Sequence, residues 1–450
     1  MRILLVAHAF PPRATAGVEV YTLRLAQALV GLGHDARVFA AFHDLGAAPF
    51  AVNTRSHAGV PVVEINNVYH RGTLGATWDV PEIERAGAEL FAGFSPQVVH
   101  FQHLLNLSSG LPAAARRAGA RALLTLHDYW LSCPRDGLRM RADLGLCAVM
   151  DHATCAGCLR DSPYLVPAPQ RAAASALRGA GLGGWLHHLH AAAPRASEAA
   201  LRLLRRVAPP GDDLALAMDE RRQGLRDAVA ELDLILAPTE FARQRALEFG
   251  APAERTIALG YGAVVPPLRP RAPGPRRRFG YVGTLAPHKG VHVLIAAFRR
   301  LERSDVALEV FGSPSVFPAY AAELRQATAG DTRIRFHGGF PEGGQAAAHT
   351  RIDALVAPSL WWENSPLSVL EALAAGLPVV ASRTGGLPEI VPDRAGAFVP
   401  PGDVAALQAA LEGLAAGRLL AEALPPLHLK TVEDGARELV ELYGAGLTSP

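Results

Sequence analysis

Two glutamates and a lysine in the second half of the chain have the types and spacing needed to bind a phosphorylated sugar. Glu363 and Glu371 are separated by seven residues, and Lys289 is one of only two lysines among 44 basic residues. An ammonium group neutralises phosphate, whereas carboxylates accept hydrogen bonds from sugar hydroxyls. The set therefore suits a diphosphate flanked by two sugar rings, as in a nucleotide sugar. The competing interpretation is a pair of solvated glutamates near a helix.

The residues between the two glutamates predict the start of a helix. Ser365 is placed as its N-cap, Pro366 as its first helical residue, and Gly376 at its end. Backbone N–H groups at a helix start lack partners inside the helix and carry partial positive charge, which suits an anion. We therefore expect the segment from Asn364 to Leu367 to face the phosphates.

All four cysteines, Cys133, Cys147, Cys155 and Cys158, lie in one short segment. One Cys-x2-Cys knuckle with two outlying thiols is typical of tetrahedral zinc binding, with an iron–sulfur cluster as the lesser alternative. Buried thiols without a ligand are the other interpretation, because disulfides are disfavoured in the cytoplasm. Four protein ligands leave no open coordination position, so the zinc would be structural and would hold this loop in place.

Length, charge and hydropathy exclude several classes of protein. A chain of 450 residues is too long for one core, and a net charge of +2 is too small for a nucleic-acid binder. The sequence has neither a secretory signal nor an apolar run of the roughly 18 residues that span a membrane, which predicts a cytoplasmic protein. The basic and apolar stretch at 171–206 could rest peripherally on the inner face of the membrane. A helix packed on its own domain is the competing interpretation.

Short apolar runs alternate with helical patterns in two series, separated by a linker rich in proline and arginine. This alternation predicts two doubly wound α/β domains with parallel sheets that face a cleft. We place the first domain at 1–265, with an insertion at about 133–230, and the second at 266–428. A helix within 429–450 is expected to pack back on the first domain. Because ligands of such sheets bind beyond the carboxyl ends of the strands, we expect the site in the cleft.

Several motifs of the second domain, in order, resemble glycosyltransferase family 4, whose members are retaining enzymes with two Rossmann-like domains in the GT-B fold. They are FGYVGTLAPHKGV at 279–291, the pair E-x7-E at 363–371 followed by ALAAGLPVVA, and GGLPEIV at 385–391. The similarity covers nearly the whole second domain and is weaker in the first. It implies a donor site in the second domain and an acceptor site in the first, with the cysteine-bearing insertion on the acceptor side.

The resemblance implies that Lys289, Glu363 and His127 are catalytic residues and that Glu371 binds the donor. In the family, the lysine matching Lys289 neutralises the departing diphosphate, and the glutamate matching Glu371 holds the ribose hydroxyls. The residues matching Glu363 and His127 contact the transferred sugar. A hydrogen-bonded structural histidine is the competing interpretation of His127, and the role of His103, which also follows a predicted strand, stays open.

Other donor-site positions depend on backbone contacts. Gly17 keeps one of the two family glycines after the first strand, and Gly283 and Thr284 begin the donor-phosphate motif. Many relatives carry an arginine where Thr284 stands, so this chain lacks that bidentate phosphate contact. Either another arginine such as Arg383 reaches the phosphate, or phosphate binding relies on Lys289 and the helix start.

The resemblance implies transfer of a sugar from a UDP-, GDP- or ADP-linked donor to a hydroxyl of a glycan, a lipid-linked acceptor or a small molecule, with retention and without a metal in the chemistry. Polysaccharide biosynthesis is the expected context. Two alternatives stay open. One is a sugar-nucleotide epimerase, and the other is a metal-stabilised protein that binds sugar nucleotides without transferase activity.

Overall fold

Two parallel sheets covered by helices form the part of the chain that the computed structural model describes. The described residues are 1–44, 46–67, 73–135, 137–141, 143–148, 150–159, 176, 214–265, 273–340, 344–420, 422, 427 and 429–445. The basic stretch at 171–206 lies outside them, except for residue 176. Within the described ranges, no helix combines the length and the apolar character needed to cross a membrane.

The first sheet is built from the N-terminal half of the chain. Its strands are β1 (Arg2–Ala7), β2 (Asp35–Phe42), β3 (Val52–His57), β4 (Val60–Asn66), β5 (Val98–Phe101), β6 (Arg121–Thr125), β7 (Leu234–Ala237) and β8 (Thr256–Ala258). Its helices are α1 (Gly17–Gly31), α2 (Pro81–Phe94), α3 (Leu111–Arg117), α4 (His152–Leu159), α5 (Leu214–Ala230) and α6 (Glu240–Phe249). The strand order is β3-β4-β2-β1-β5-β6-β7-β8, and only the β3–β4 pair is antiparallel. Alternate residues of β1 enter core clusters on opposite faces, as Leu4 and Leu5 do, because side chains of a strand alternate in direction.

The second sheet follows the linker. Its strands are β9 (Arg278–Val282), β10 (Ala307–Phe311), β11 (Ile334–Gly338), β12 (Ala354–Ala357), β13 (Val379–Ser382) and β14 (Gly396–Val399). Its helices are α7 (Val291–Arg299), α8 (Pro318–Ala327), α9 (Gln345–His349), α10 (Leu367–Ala374), α11 (Leu387–Ile390) and α12 (Val404–Ala415). The strand order β11-β10-β9-β12-β13-β14 is that of a doubly wound nucleotide-binding sheet. The two sheets confirm the predicted GT-B architecture.

The last helix, α13 (Val432–Gly444), returns to the first sheet. It begins at a capping box, in which the Thr431 hydroxyl accepts from the Asp434 N–H and the Asp434 side chain accepts from the Thr431 N–H. Its buried residues Leu439 and Tyr443 belong to the core cluster that lies between α1 and the first sheet.

A buried histidine joins this helix to the sheet. His100 in β5 contacts the Tyr443 hydroxyl through Nδ1 and the Thr125 hydroxyl through Nε2, each at 2.7 Å. Burial lowers the pKa of His100 from 6.5 to about 3. The imidazole is therefore neutral in the folded protein over the whole physiological pH range.

Replacing His100 with glutamine should flatten the pH dependence of stability on the acid side. Between its folded pKa of about 3 and the unfolded value of 6.5, the unfolded chain binds a proton here that the folded chain does not. The contribution of neutral His100 to the free energy of unfolding is therefore fully present above pH 6.5 and is lost as the pH falls. The wild type should lose about 1 kcal/mol more per pH unit than His100→Gln between about pH 6 and pH 5. Urea unfolding at several pH values measures this, and equal slopes for the two proteins would contradict it.

Candidate active site

The order of strands reverses at one point in each sheet, and several of the predicted site residues follow the strands at these two points. In the first sheet the reversal is between β1 and β5, which His8 and Gln102 follow directly. In the second it is between β9 and β12, which Gly283 and Pro358 follow. Such switch points open the crevice in which doubly wound sheets bind their ligands.

Lys289 and Glu363 meet at the switch point of the second sheet. The Lys289 Nζ atom donates to Glu363 Oε1 at 2.7 Å and lies 4.8 Å from the centre of the Trp361 ring. The Ser359 hydroxyl donates to the same Oε1 at 2.5 Å. Burial alone would raise the pKa of Glu363, but the charge and hydrogen bond of Lys289, together with the Ser359 bond, hold it below its usual value. The site thus contains a charged carboxylate that is 4% exposed.

Two glycines allow the backbone to approach this pair closely. Gly290, directly after Lys289, has a φ of +71°, and a Cβ there would overlap the Pro358 carbonyl oxygen. Gly385 has a φ of +58°, and a Cβ there would overlap the backbone of Glu363. Both positions require the left-handed conformation and lack space for a side chain, which explains glycine at each.

Glu371 bonds to a residue of the other domain. The Arg24 Nη1 atom of α1 donates to Glu371 Oε1 at 2.7 Å, and the two side chains are 15% and 4% exposed. Burial raises the pKa of Glu371, and the charge of Arg24 partly opposes the rise. The carboxylate assigned to the ribose is therefore already bonded to an arginine from across the cleft.

The start of α10 differs from the prediction in one detail. The N-cap is Pro366, with an extended ψ of 123°, and the first helical residue is Leu367, so the predicted N-cap at Ser365 is wrong. The residue before a proline is held away from helical angles, and Pro366 itself is extended here, which moves the start by one residue. Gly376 follows the helix with a φ of +69°, as predicted for its end. Beside this start, Asn364 has its Oδ1 and Nδ2 atoms buried and without a hydrogen bond in the described structure.

The remaining donor-site positions are placed as follows. Gly17 is the first residue of α1, and no atom lies within 4 Å of the position that a Cβ would take. Gly283 and Thr284 follow β9, and the Thr284 carbonyl accepts from the Tyr281 hydroxyl at 2.7 Å. The Arg383 guanidinium lies 4.6 Å from the centre of the Phe398 ring in β14. Arg383 therefore packs on its own sheet, which favours phosphate binding through Lys289 and the helix start.

His127 uses both ring nitrogens for bonds within the first domain. Its Nε2 atom lies 3.0 Å from Gln102 Oε1, and its Nδ1 atom lies 2.7 Å from the Tyr261 hydroxyl. Because the Gln102 oxygen can only accept, Nε2 carries the proton and Nδ1 accepts from Tyr261. Burial, reinforced by the charge of nearby His103, holds the pKa of His127 well below 6.5. His127 is thus a neutral, oriented imidazole.

Two histidine–carboxylate pairs lie at the switch point of the first sheet, and sequence reasoning missed both. His8 Nε2 is 3.1 Å from Glu19, and His103 Nε2 is 2.9 Å from Asp128. The His103 Nδ1 atom accepts from the Leu105 N–H, so its Nε2 donates to Asp128. The two imidazole centres are 4.7 Å apart. These four polar side chains thus form one compact group beside the carboxyl ends of the strands of the first sheet.

Aromatic residues close the cleft around Glu363. Tyr129 packs edge-on against Trp362 at 5.8 Å, and Phe241 does so at 5.4 Å. Nearby, both Glu389 oxygens accept from backbone N–H groups at the start of α6, those of Glu240 and Phe241. The loop that carries Glu363 is therefore held between both domains.

The four cysteines line one pocket, together with Arg135, Met140 and Arg141. All four thiols are free of disulfides, and Cys155 is the buried one. Among the described residues, no three His, Cys, Asp or Glu side chains are grouped so that they could hold a metal ion as they stand. The predicted clustering of the thiols is thus present without a formed coordination site.

Two domain models match the chain, one on each side of the cleft. A glycosyl transferase 4-like domain matches residues 16–159, and glycosyl transferases group 1 matches residues 276–416. The second range contains Lys289, Glu363 and Glu371. The chain is a GT-B glycosyltransferase. Because both matched domains are described as transferases, these matches favour transfer over the epimerase and the inactive binding protein.

This GT-B glycosyltransferase matches its relatives over very different lengths. The phosphatidyl-myo-inositol mannosyltransferase of Mycobacterium leprae is 35% identical over 140 residues, which is 30% of this chain and 36% of the relative. The glycogen synthase of Mycobacterium tuberculosis is 26% identical over 429 residues, 92% of this chain and 86% of the relative. The sucrose-phosphate synthase from Thermosynechococcus elongatus superposes with a TM-score of 0.66 at 17% identity, with 100% of both chains covered. The last comparison supports the fold alone.

Proposed function

We propose that this GT-B glycosyltransferase transfers a sugar from a nucleotide diphosphate sugar to an acceptor hydroxyl with retention of the anomeric configuration. The observation that carries the proposal is the Lys289–Glu363 pair at the switch point of the second sheet. It places a cation, a buried carboxylate and the start of α10 beside one another. These groups suit a diphosphate with an attached sugar.

The proposed reaction needs no base from the protein. The bond between the anomeric carbon and the phosphate oxygen breaks while the acceptor oxygen bonds to that carbon from the same face. The acceptor proton passes to an oxygen of the departing nucleoside diphosphate, which completes the proton balance. Lys289 stabilises the negative charge that develops on the diphosphate.

Two buried carboxylates are proposed to position the donor. One oxygen of Glu363 already accepts from Lys289 and Ser359, so Glu363 is better suited to hold sugar hydroxyls than to attack the anomeric carbon. Glu371 is proposed to hold the ribose, and the unbonded Asn364 amide to bond the donor beside the helix start. A buried amide without partners costs about 1–3 kcal/mol, which a bound donor would recover.

The acceptor is proposed to lie over the first sheet. The His8–Glu19 and His103–Asp128 pairs offer charged and neutral hydrogen-bonding groups there, and the buried Tyr129 hydroxyl makes no hydrogen bond in the described structure. Such groups suit a polyhydroxylated acceptor, whether glycan, lipid-linked sugar or small molecule. His127, whose side chain is partly exposed, is proposed to face the transferred sugar.

A donor panel tests the proposal. The full chain should release nucleoside diphosphate from one base class among UDP-, GDP- and ADP-sugars, and release should accelerate by about tenfold or more when a suitable acceptor is added. Proton NMR of the product should show the donor's anomeric configuration. The three acceptor classes form separate arms of the assay.

Two outcomes would overturn different parts of the proposal. Product with the opposite anomeric configuration would overturn retention but not transfer. Absence of nucleoside diphosphate release from every donor, in protein shown by thermal unfolding to be folded, would overturn the proposed donor chemistry itself.

A further inference from the structure

We propose that Cys133, Cys147, Cys155 and Cys158 bind one structural zinc ion and thereby hold the loop that closes the cleft over Glu363. The proposal does not rest on the identity of the donor or the acceptor. It rests on the arrangement of the thiols, the charges around them, and the contacts of the loop between them.

The four thiols are every cysteine in the chain, and all of them line the same pocket. Cysteines spread over 26 residues of sequence are thus brought to one place in the fold. Four thiolates at tetrahedral positions are a common zinc-ligand set in structural sites. Three of the four are partly exposed, so the pocket is open to an entering ion.

The charges around the pocket fit such a site. Zinc with four thiolates carries two net negative charges, and Arg135 and Arg141 line the pocket. Among the described residues that line the pocket, none is a carboxylate. The two guanidinium groups would offset part of that negative charge.

Local structure presents the thiols from three directions. Cys155 and Cys158 are three residues apart on α4 and therefore share one face of that helix. Cys147 follows a bridge between Met140 and Leu146, and its N–H bonds to the Arg139 carbonyl. Cys133 ends a turn in which its N–H bonds to the Tyr129 carbonyl at 2.8 Å.

Binding would require the thiols to move into coordination geometry, because no three of them stand at metal-binding geometry in the described residues. The Cys133 thiol instead donates to the Arg135 carbonyl at 3.7 Å. Metal binding commonly completes its own site, and the free energy of binding then stabilises the folded loop.

The loop between Cys133 and Cys147 reaches the other domain. Met140 belongs to a buried apolar cluster with Tyr129 and Trp361. Arg139 donates to the Cys147 and Ala148 carbonyls and also lies 5.2 Å from the centre of the Trp362 ring. A zinc ion at the ends of this loop would therefore hold it against the two tryptophans that precede Glu363.

Metal content tests the proposal directly. The full chain, produced with zinc in the medium and purified without chelator, should contain about one zinc ion per chain by elemental analysis. Cys158→Ser should reduce that content by about tenfold or more, since loss of a ligand weakens binding at least as much as loss of an outer-shell partner. Thr154→Ser, which changes another residue lining the pocket and keeps its hydroxyl, should retain the zinc.

A second measurement uses the wild-type protein, so it stands even where a variant fails to fold. Stepwise blocking of the thiols with a mercurial should release zinc in proportion to the number of thiols blocked. All four thiols should have reacted once the metal is gone. Cobalt exchanged into the site should show the thiolate charge-transfer band of tetrahedral coordination. Absence of stoichiometric metal, disulfides in place of free thiols, or iron with sulfide in place of zinc would each overturn the proposal.

Discussion

Replacement of Lys289 by alanine is expected to lower kcat/KM for the donor by about 100- to 1000-fold. The charge on the diphosphate grows as the bond to the sugar breaks, so the lysine interacts more strongly with the transition state than with the bound donor. The loss should therefore lie mainly in kcat, with KM little changed. Steady-state kinetics with the donor identified by the panel measure both constants.

The chain provides a matched control for this substitution. Lys430 is the other lysine, and it pairs with Glu438 of the C-terminal helix and donates to the Gly260 carbonyl. Lys430→Ala also removes an ammonium from an ion pair but should leave kcat within about a factor of two, as expected for a partly exposed pair that includes neither Glu363 nor Glu371. Unchanged turnover in Lys289→Ala, or equal losses in both variants, would contradict the role proposed for Lys289.

Lys289→Ala also has a structural cost, which must be separated from its effect on catalysis. Without the lysine, the buried Glu363 loses the positive charge that holds its pKa down, so its pKa should rise towards the value that burial favours. A loss of up to about 3 kcal/mol of stability is expected. Kinetics are therefore compared at a temperature where thermal unfolding shows both variants folded.

Much of the fold was predictable because its central strands are continuous apolar runs. The short apolar runs of the second domain coincide with its central strands β9, β10 and β12, whose residues enter core clusters on both faces of the sheet. The β3–β4 hairpin was not predicted. Strand β3 has the sequence VNTRSH and is mostly exposed, so it has no apolar alternation from which a strand could be recognised.

The chemistry of the site was predictable from residue types, but its contacts were not. Lys289 and Glu363 were both assigned to the donor site, yet their direct bond joins residues 74 apart. The bond arises because β9 and β12 are neighbours in the sheet, and the order of strands cannot be read from local patterns. The same holds for His103 and Asp128, which approach because β5 and β6 pair side by side.

Replacement of Glu371 by alanine is expected to raise the donor KM by about 30-fold while changing kcat little. A buried carboxylate that accepts hydrogen bonds from ribose hydroxyls contributes about 2 kcal/mol to binding. The ribose is remote from the bond that breaks, so the contribution is the same in the bound donor and the transition state. Glu309→Ala is the control, because Glu309 is also a buried, ion-paired glutamate of the second domain and bonds Arg335 and His337 instead.

The ion pair between Arg24 and Glu371 leads to a second prediction about donor binding. Since Arg24 bonds the carboxylate that is proposed to hold the ribose, we expect the ion pair to compete with the donor for Glu371. Arg24→Ala should therefore lower the donor KM by about three- to fivefold, the value of a pair worth about 1 kcal/mol. The effect should vanish in the Glu371→Ala background, because the competing bond is already gone. If Arg24→Ala raised KM in both backgrounds, Arg24 would contact the donor itself, and the ion pair would be part of the donor site rather than its competitor.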